Sequence, residues 1–295
     1  MQSSGSLRER DIQAGPSGLR LRLCEWGAGE HTTVILHGFL EQGAAWDAVA
    51  RQLSGRVLAP DHRGHGLSEH VGRGGFYHFW DYVSDLDALL EAEADGPVDL
   101  IGHSMGGTIA CLFAATRPER VRRLVLVEGL GPPDMSSLRL AMARTSLQHQ
   151  RSPPRHRGLA SPEAAAERMR RYNPSLAEET ALRLARRTTR QTVPDDPAVD
   201  PAHPGPWTWT WDPLHRARSP RAFEADTFGT FLEAIEAPTL VVDGARSRFR
   251  PSDGESRRER LRDAQHVEIP DAGHLIHHDA PGALAAVVIA HLGIP

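Results

Sequence analysis

The sequence has few cysteines and no long apolar segment. Its two cysteines among 295 residues, Cys24 and Cys111, cannot supply a disulfide framework, and we expect both to be buried free thiols in a reducing compartment. No apolar run approaches the roughly 20 residues of a membrane span, and the N-terminal segment lacks the apolar core of a signal peptide. We therefore expect a cytoplasmic protein that has no membrane partner.

The charge is not strongly biased toward either sign. A formal net charge of −4 gives no reason to expect nucleic acid or an anionic membrane as a partner. The charged fraction of 24% and the apolar fraction of 40% are ordinary for a soluble globular protein. The length suits one large α/β domain that carries an insertion, or two small domains.

Short apolar runs alternate with helical patterns along most of the chain. Continuous apolar runs of this length are typical of strands that are buried on both faces. We therefore predict an α/β fold with a mostly parallel central sheet. The run from Leu19 to Trp26 alternates apolar and polar residues, which favours an antiparallel edge hairpin. The predicted buried strands cover residues 33–36, 56–59, 98–101, 124–127, 239–242 and 266–269.

The alternation stops in the segment from 131 to 222. This segment is rich in arginine, proline and helix formers, and Ser175 to Arg187 has the pattern of a helix with Ser175 as its N-cap. Strand-like periodicity returns only at Thr239. We predict a mainly helical cap at 131–222, inserted after the sixth strand, and an α/β core formed by residues 1–130 and 223–295.

A Gly-His-Ser-Met-Gly sequence at residues 102–106 lies between a predicted strand and a predicted helix. A strand that turns this sharply into a helix forces its central residue into a strained conformation, and the flanking glycines avoid collisions. The turn holds the Ser104 hydroxyl at the carboxyl edge of the sheet, beside the free N–H groups of a helix start. Ser104 is therefore the predicted nucleophile.

Other segments supply the partners that a serine nucleophile needs. His-Gly-Phe at residues 37–39 follows a buried strand, and we predict that the N–H groups of Phe39 and Met105 form an oxyanion hole. His274 follows the last strand on a loop, where a general base is required. The segment from Asp61 to Ser68 is predicted to be a structural loop.

Together these motifs resemble the α/β-hydrolase superfamily. The resemblance covers the whole predicted core, and residues 126–133 and 209–216 resemble the narrower serine hydrolase-like group. It implies a triad in the order nucleophile, acid and base, with the acid between Ser104 and His274.

The acid departs from the usual pattern of the superfamily. Most members have an aspartate three residues after the glycine that ends the 239–242 strand, where this chain has Ser247. Glu128 is the preferred replacement, at the end of the next strand after the nucleophile, in an arrangement that resembles haloalkane dehalogenases. Neighbouring strands are about 4.8 Å apart, so the shift is small. Asp243 and Asp253 are the alternatives.

A run of tryptophans indicates where the substrate could bind. Trp207, Trp209 and Trp211 have a period of two, so an extended segment presents their indoles on one face. They form either a wall of an acyl pocket under the cap or the packing of the cap onto the core. We assign Trp209 and Trp211 to the substrate pocket, together with His37, Gly38 and His103, and possible contacts from Phe39 and Trp46.

His277 and His278 lie close to His274 and raise the question of a metal site. No cysteine or carboxylate stands at ligand spacing in this loop, so the signal is weak. We predict no metal and no cofactor.

These residues favour a serine hydrolase that cleaves a small-molecule carboxylic ester, thioester or lactone through an acyl-enzyme. Dehalogenase and epoxide-hydrolase chemistry is excluded, since Ser104 would form an ether that water cannot open in the same way. Carbon–carbon bond hydrolysis and cofactor-free perhydrolysis stay open, because both use a serine triad on this fold. The alternative of another class is a non-catalytic ligand-binding homologue.

Overall fold

A central sheet carries the loops that form the site. The computed structural model describes residues 6–72 and 74–294, and within these residues eight strands pair into one sheet. In chain order they are β1 (Arg8–Ala14), β2 (Leu19–Gly27), β3 (Thr32–Leu36), β4 (Arg56–Pro60), β5 (Val98–His103), β6 (Val121–Val127), β9 (Thr239–Gly244) and β10 (Ala264–Ile269). Two short strands, β7 (Thr189–Gln191) and β8 (Trp207–Trp209), form a separate small sheet.

The strand order is β1-β2-β4-β3-β5-β6-β9-β10. β2 pairs antiparallel with β1 and β4, and the other neighbours are parallel. The six predicted strands are therefore present, and the run from Leu19 to Trp26 lies in an edge hairpin. β10 differs from the prediction in its burial. It lies at the opposite edge of the sheet, so most of its residues are exposed.

Helices cover both faces of the sheet. They are α1 (Asp47–Ala50), α2 (Phe79–Glu93), α3 (Met105–Thr116), α4 (Arg139–Arg151), α5 (Pro162–Tyr172), α6 (Glu178–Thr188), α7 (Ala225–Ala234), α8 (Gly254–Glu259), α9 (Ile276–Asp279) and α10 (Pro281–Leu292). In β6, Leu124 and Leu126 pack into the apolar layer with α2, α3 and α7. Val125 and Val127 face the other layer, with α1, α9 and α10. This period of two explains why the strand sequences are apolar throughout.

The segment between β6 and α7 contains α4, α5, α6 and the small sheet. Residues of α5, α6 and β8 contribute to an apolar cluster of their own. We therefore propose that residues 131–222 form a cap over the core, as the sequence predicts.

The helix predicted from Ser175 begins later, at Glu178, and its N-cap residue is Ala177. The Ser175 hydroxyl oxygen instead lies 2.7 Å from Asn173 Oδ1 and 2.6 Å from Asp279 Oδ1 of α9, and its single proton can be donated to either oxygen. A contact between the cap segment and the core therefore replaces the predicted N-cap.

Cys24 and Cys111 are free and buried, and burial raises the pKa of both thiols. No helix in the described residues is both long and apolar enough to cross a membrane.

Candidate active site

Ser104 is the single residue that separates β5 from α3. Its φ of 51° lies in the left-handed region, where a residue other than glycine is strained. The flanking glycines are required because the chain segments approach closely. A Cβ on Gly102 would lie 2.5 Å from the carbonyl oxygen of Gly106, and a Cβ on Gly106 would lie 2.2 Å from that of Leu36. The sharp turn therefore presents the Ser104 side chain at the carboxyl edge of the sheet.

The structure places His274 between Ser104 and Glu128. Nε2 of His274 lies 3.0 Å from Ser104 Oγ, and Nδ1 lies 3.0 Å from Glu128 Oε2. A proton on Nδ1 donates to the carboxylate and leaves the Nε2 lone pair free to accept from the Ser104 hydroxyl. The three side chains thus form one hydrogen-bonded chain in the arrangement of nucleophile, base and acid.

Glu128 follows β6 directly and has a φ of 51°. Its Oε2 accepts a hydrogen bond of 2.5 Å from the Ser247 hydroxyl, and its Oε1 accepts one of 2.8 Å from the N–H of Gly244. Burial raises the pKa of this carboxyl group, but the hydrogen bonds from His274, Ser247 and Gly244 outweigh it, so the pKa is lowered overall. Ser247, at the usual position of the acid, acts here as a donor to the carboxylate.

The alternative acids lie elsewhere. Asp243 Oδ2 is 2.9 Å from His266 Nε2, and Asp253 Oδ2 is 2.9 Å from Arg257 Nε. Of the three candidate acids, Glu128 is the one whose carboxylate contacts the imidazole of His274.

Phe39 and Met105, which carry the N–H groups of the predicted oxyanion hole, line the same cavity as Ser104 and His274. The carbonyl of Gly38 accepts hydrogen bonds from His37 Nδ1 (2.7 Å) and from the N–H of Glu41 (3.3 Å). The N–H of Phe39 belongs to the same planar trans peptide, so it points the opposite way. Met105 is the first residue of α3, and its N–H has no partner within the helix. No residue of the described ranges accepts from either group, which suits the predicted oxyanion hole.

Three residues assigned to the substrate pocket from the sequence do not line the cavity beside Ser104: His37, Gly38 and His103. His37 is buried, and its Nε2 accepts from the N–H of His62 at 2.9 Å. Burial lowers the pKa of His37, so the neutral ring donates from Nδ1 to the Gly38 carbonyl. His37 therefore orients the peptide that carries the Phe39 N–H.

A cavity of about 1230 Å³ opens beside Ser104 and His274. Its walls come from the start of α2, from α3, from the loop after β6 and from the segment that leads into α7. Polar and charged side chains, among them Asp81, Arg139, Arg221 and Glu224, contribute to its lining. Apolar side chains supply most of its surface: Phe39, Phe79, Trp80, Met105, Leu112, Pro132, Pro133, Phe223, Phe228, Phe231 and Phe249. Such a lining suits an extended apolar group attached to the reacting carbonyl.

Comparison with known proteins identifies the family. Residues 33–281 match the family described as the alpha/beta hydrolase fold. The chain belongs to this family. The predicted superfamily and the predicted fold class are therefore confirmed.

Relatives that match over most of their length point to the same class of enzyme. A serine hydrolase-like protein of Danio rerio is 28% identical, with 89% of this chain and 82% of the relative covered. A 3-hydroxybutyrate-oligomer hydrolase of Cupriavidus necator is 31% identical, with 88% of each chain covered. The solved structure of a thioesterase domain from the curacin biosynthetic pathway has a TM-score of 0.83 and 31% identity, and the match covers 96% of this chain and 99% of that one. The protein is a hydrolase.

The two tryptophans assigned to the substrate pocket of this hydrolase do not reach the cavity. Trp209 and Trp211 are buried in the apolar cluster with α5 and α6, and their ring centroids lie 6.4 Å apart. Trp46 is also buried and stacks on His277 at 4.5 Å. Of the aromatic residues named from the sequence, Phe39 lines the cavity. The period of two identified a buried face but not the layer that covers it.

Phenylalanines that were not predicted from the sequence form part of the aromatic cavity wall, where the tryptophans were expected. Phe228 and Phe231 stand three residues apart on α7 and share one helix face, and Phe223 precedes the helix. The spacing of the two helical phenylalanines was the available signal. It predicts an apolar helix face but not a cavity wall.

A carboxylate lies beside the two histidines considered for a metal. Ligand atoms of Glu41, His277 and His278 lie within 4.8 Å of one another. Glu41 is far from this loop in sequence, so spacing within the loop did not reveal it. Glu41 Oε1 and His277 Nε2 are hydrogen-bonded to each other at 2.9 Å. The absence of a metal stays a prediction.

Four histidines form a second cluster between the loop at 61–68 and the cap segment. The ring centroids of His65 and His215 lie 3.9 Å apart, and those of His37 and His62 lie 4.2 Å apart. Burial lowers the pKa of all four, that of His215 to about 4. The neutral rings therefore pack as aromatic groups.

This cluster predicts that the protein loses stability in mild acid. The unfolded histidines titrate near 6.5, so below that pH the unfolded chain binds more protons and the free energy of unfolding falls. For His215 the loss between pH 6.5 and its folded pKa of about 4 reaches roughly 3 kcal/mol. Urea unfolding near pH 7.5 and near pH 5 measures this loss of stability. In His215→Phe, the free energies of unfolding at the two pH values should differ by less than in the wild type. An unchanged difference in that variant would contradict the prediction for His215.

Proposed function

We propose that the protein hydrolyses a carboxylic ester or thioester through an acyl-enzyme on Ser104. The observation that carries this proposal is the chain of hydrogen bonds from Glu128 through His274 to Ser104, at 3.0 Å on each side of the imidazole. It borders a cavity whose surface is mainly apolar, and the N–H groups of Phe39 and Met105, which line the same cavity, have no acceptor among the described residues.

The reaction begins when Ser104 Oγ attacks the carbonyl carbon and its proton passes to His274 Nε2. Glu128 holds the ring through Nδ1 and stabilises the imidazolium. The N–H groups of Phe39 and Met105 bind the oxyanion, and each such donor is worth roughly 3 kcal/mol in the transition state. His274 then gives its proton to the departing alkoxide or thiolate. A water molecule that loses its proton to His274 attacks the acyl-enzyme and releases the acid and Ser104.

The lining of the cavity supports an acyl group with a large apolar part. Each methylene of the acyl chain that moves from water into contact with the aromatic walls should strengthen binding by about 0.8 kcal/mol. Both classes of leaving group have support among the relatives. The names of the relatives include an oligomer hydrolase of 3-hydroxybutyrate and an sn-1-specific diacylglycerol lipase of Mus musculus. Thioester cleavage is the second candidate, favoured by the similarity to the curacin thioesterase domain.

Initial rates on p-nitrophenyl esters of graded acyl length, and on acyl thioesters of matched length, test the proposal. We expect turnover that rises with acyl length until the cavity is filled, and that depends on Ser104. The ratio of kcat/KM between matched esters and thioesters then assigns the leaving group. No turnover on either series would contradict the proposal and would favour carbon–carbon bond hydrolysis or the non-catalytic alternative.

Two aromatic substitutions separate the cavity wall from the cap packing. Phe231→Ala widens the cavity, so we expect kcat/KM to fall more for long acyl chains than for short ones. Trp209→Ala removes a buried indole of the cap cluster, so it should cost about 3–5 kcal/mol of stability and affect all chain lengths alike. Chain-length profiles and urea unfolding of both variants provide the measurement. If kcat/KM for long acyl chains fell selectively in Trp209→Ala and not in Phe231→Ala, the tryptophan and not the phenylalanine would contact the acyl chain.

A further inference from the structure

One carboxylate behind the site connects three of its loops. Glu41 Oε2 accepts hydrogen bonds of 2.8 Å from the N–H of Gly38 and from His103 Nδ1. Glu41 Oε1 accepts one of 2.9 Å from His277 Nε2. Gly38 belongs to the oxyanion loop, His103 precedes the nucleophile, and His277 follows the general base. Residues far apart in the sequence thus converge on a single side chain.

His103 is held between two acceptors. Its Nδ1 faces the Glu41 carboxylate, and its Nε2 lies 2.9 Å from the backbone carbonyl oxygen of His274. A backbone carbonyl has no proton to give, and neither has an ionised carboxylate, the form that the lowered pKa of Glu41 favours. A neutral imidazole donates from one nitrogen only, whereas an imidazolium donates from both. The geometry therefore requires a proton on each nitrogen of His103.

The surroundings of His103 favour this charged form. The side chain is 1% exposed, and burial alone lowers its pKa, but the attraction and hydrogen bond of Glu41 outweigh burial and raise the pKa overall. Burial likewise acts to raise the pKa of Glu41, and the nearby His277 and His103 hold it well below its usual range. The pair is therefore a buried imidazolium and carboxylate, in which each charge stabilises the other.

Gly38 makes the close approach possible. A Cβ at this position would lie 2.6 Å from both Glu41 Oε2 and His103 Nδ1. The glycine of the oxyanion loop therefore leaves room for the ion pair.

We propose that Glu41 and His103 are positioning residues of the hydrolase: their ion pair fixes the backbone of His274 through its carbonyl oxygen and the oxyanion peptide through the N–H of Gly38. This inference rests on the proposed function of Ser104 and His274. Neither residue lines the cavity, so both act through the groups they hold. The segments packed around the Glu41–His103 pair contribute further titratable groups that interact with it: His37, Glu128, His274, His277 and His278.

The first test is Glu41→Gln, which keeps the shape of the side chain and removes its charge. His103 then loses its counterion and the proton that reaches His274. We expect kcat to fall about 10²-fold, as for a small displacement of catalytic groups, with KM nearly unchanged because the cavity wall is intact. The alkaline limb of the kcat profile should move to lower pH, since His103 without its counterion deprotonates earlier.

Asp200→Asn is the matched control. Asp200 Oδ2 lies 2.9 Å from His203 Nδ1 in an exposed pair of the cap segment, so this variant also removes one carboxylate from a histidine. Its kcat and pH profile should equal those of the wild type. An alkaline limb that stays in place in Glu41→Gln would overturn the positioning role.

The second test observes His103 directly in the wild-type protein. Nitrogen NMR of histidine-labelled protein, recorded just above the ordinary imidazole pKa of about 6.5, should show protons on both nitrogens of His103, and His103→Gln assigns its signals by their disappearance. A neutral His103 at this pH would overturn the inference even if Ser104 supports turnover. If no ester or thioester is hydrolysed, the proposed function fails separately, and this spectrum still decides whether the ion pair exists.

Discussion

Replacing Ser104 with alanine is expected to lower kcat on the best ester or thioester by roughly 10⁶. The substitution removes the atom that forms the acyl-enzyme and leaves His274, Glu128 and the peptide N–H groups in place. Ser104 is part of a strained turn, and alanine tolerates this backbone no worse than serine does, so the fold should persist. Initial rates at saturating substrate measure the loss, and circular dichroism checks the fold.

Ser84→Ala is the matched control for this experiment. Ser84 is exposed on α2 and lies outside the cavity, so its kcat should equal that of the wild type. Turnover that survives in Ser104→Ala would remove Ser104 as nucleophile. A chain that lacks turnover but binds a fatty acid equally well with and without Ser104 would favour the ligand-binding alternative.

The sequence predicts the elements of this hydrolase that depend on local order. The strands from β3 to β6, and β9, are short apolar runs whose alternate residues face two covered layers, so composition alone reveals them. The turn at Ser104 has its glycines at fixed positions because backbone atoms would collide with any side chain there. Both signals lie within a few residues of the feature they predict.

Features that depend on distant segments were harder to predict. Strand order brings the ends of β6 and β9 together, but the direction of each side chain at those ends is set by the loops. Glu128 reaches His274, whereas Asp243 pairs with His266 in the neighbouring strand. The Glu41–His277 contact joins residues 236 positions apart, so no local pattern could show a carboxylate beside that histidine.

The substrate cavity illustrates the same limit. The period of two in the tryptophan run correctly describes one face of an extended segment, but α5 and α6 pack against that face and bury it. Part of the cavity wall comes instead from α7, whose phenylalanines look like ordinary core residues in the sequence. Which apolar face is left uncovered depends on how elements distant in the sequence pack together, and the linear pattern does not contain that information.

Replacing Glu128 with glutamine is expected to lower kcat by about 10⁴, by analogy with substitutions of the triad acid in other serine hydrolases. The amide removes the charge that stabilises the imidazolium and can hold the His274 ring in the wrong tautomer. Binding should change little, so the effect is expected in kcat more than in KM. Asp243→Asn is the matched control, and it should keep near-normal kcat because Asp243 bonds to His266. The opposite ranking of these two variants would transfer the role of the acid to Asp243.

Ser247 offers a rescue that makes this test sharper. Its hydroxyl and Nδ1 of His274 both lie within 3.0 Å of the same oxygen of Glu128. Ser247→Asp in the Glu128→Gln background therefore places a carboxylate within reach of His274, at the position where most members of the superfamily carry it. We expect this double variant to recover at least 10-fold of the lost kcat, while Ser247→Asp alone crowds two carboxylates around one imidazole and lowers activity. Failure of the rescue with an intact fold would mean that the loop after β9 does not direct residue 247 toward the base. In that case the acid role depends on the backbone of Glu128, with its left-handed φ, as well as on the charge.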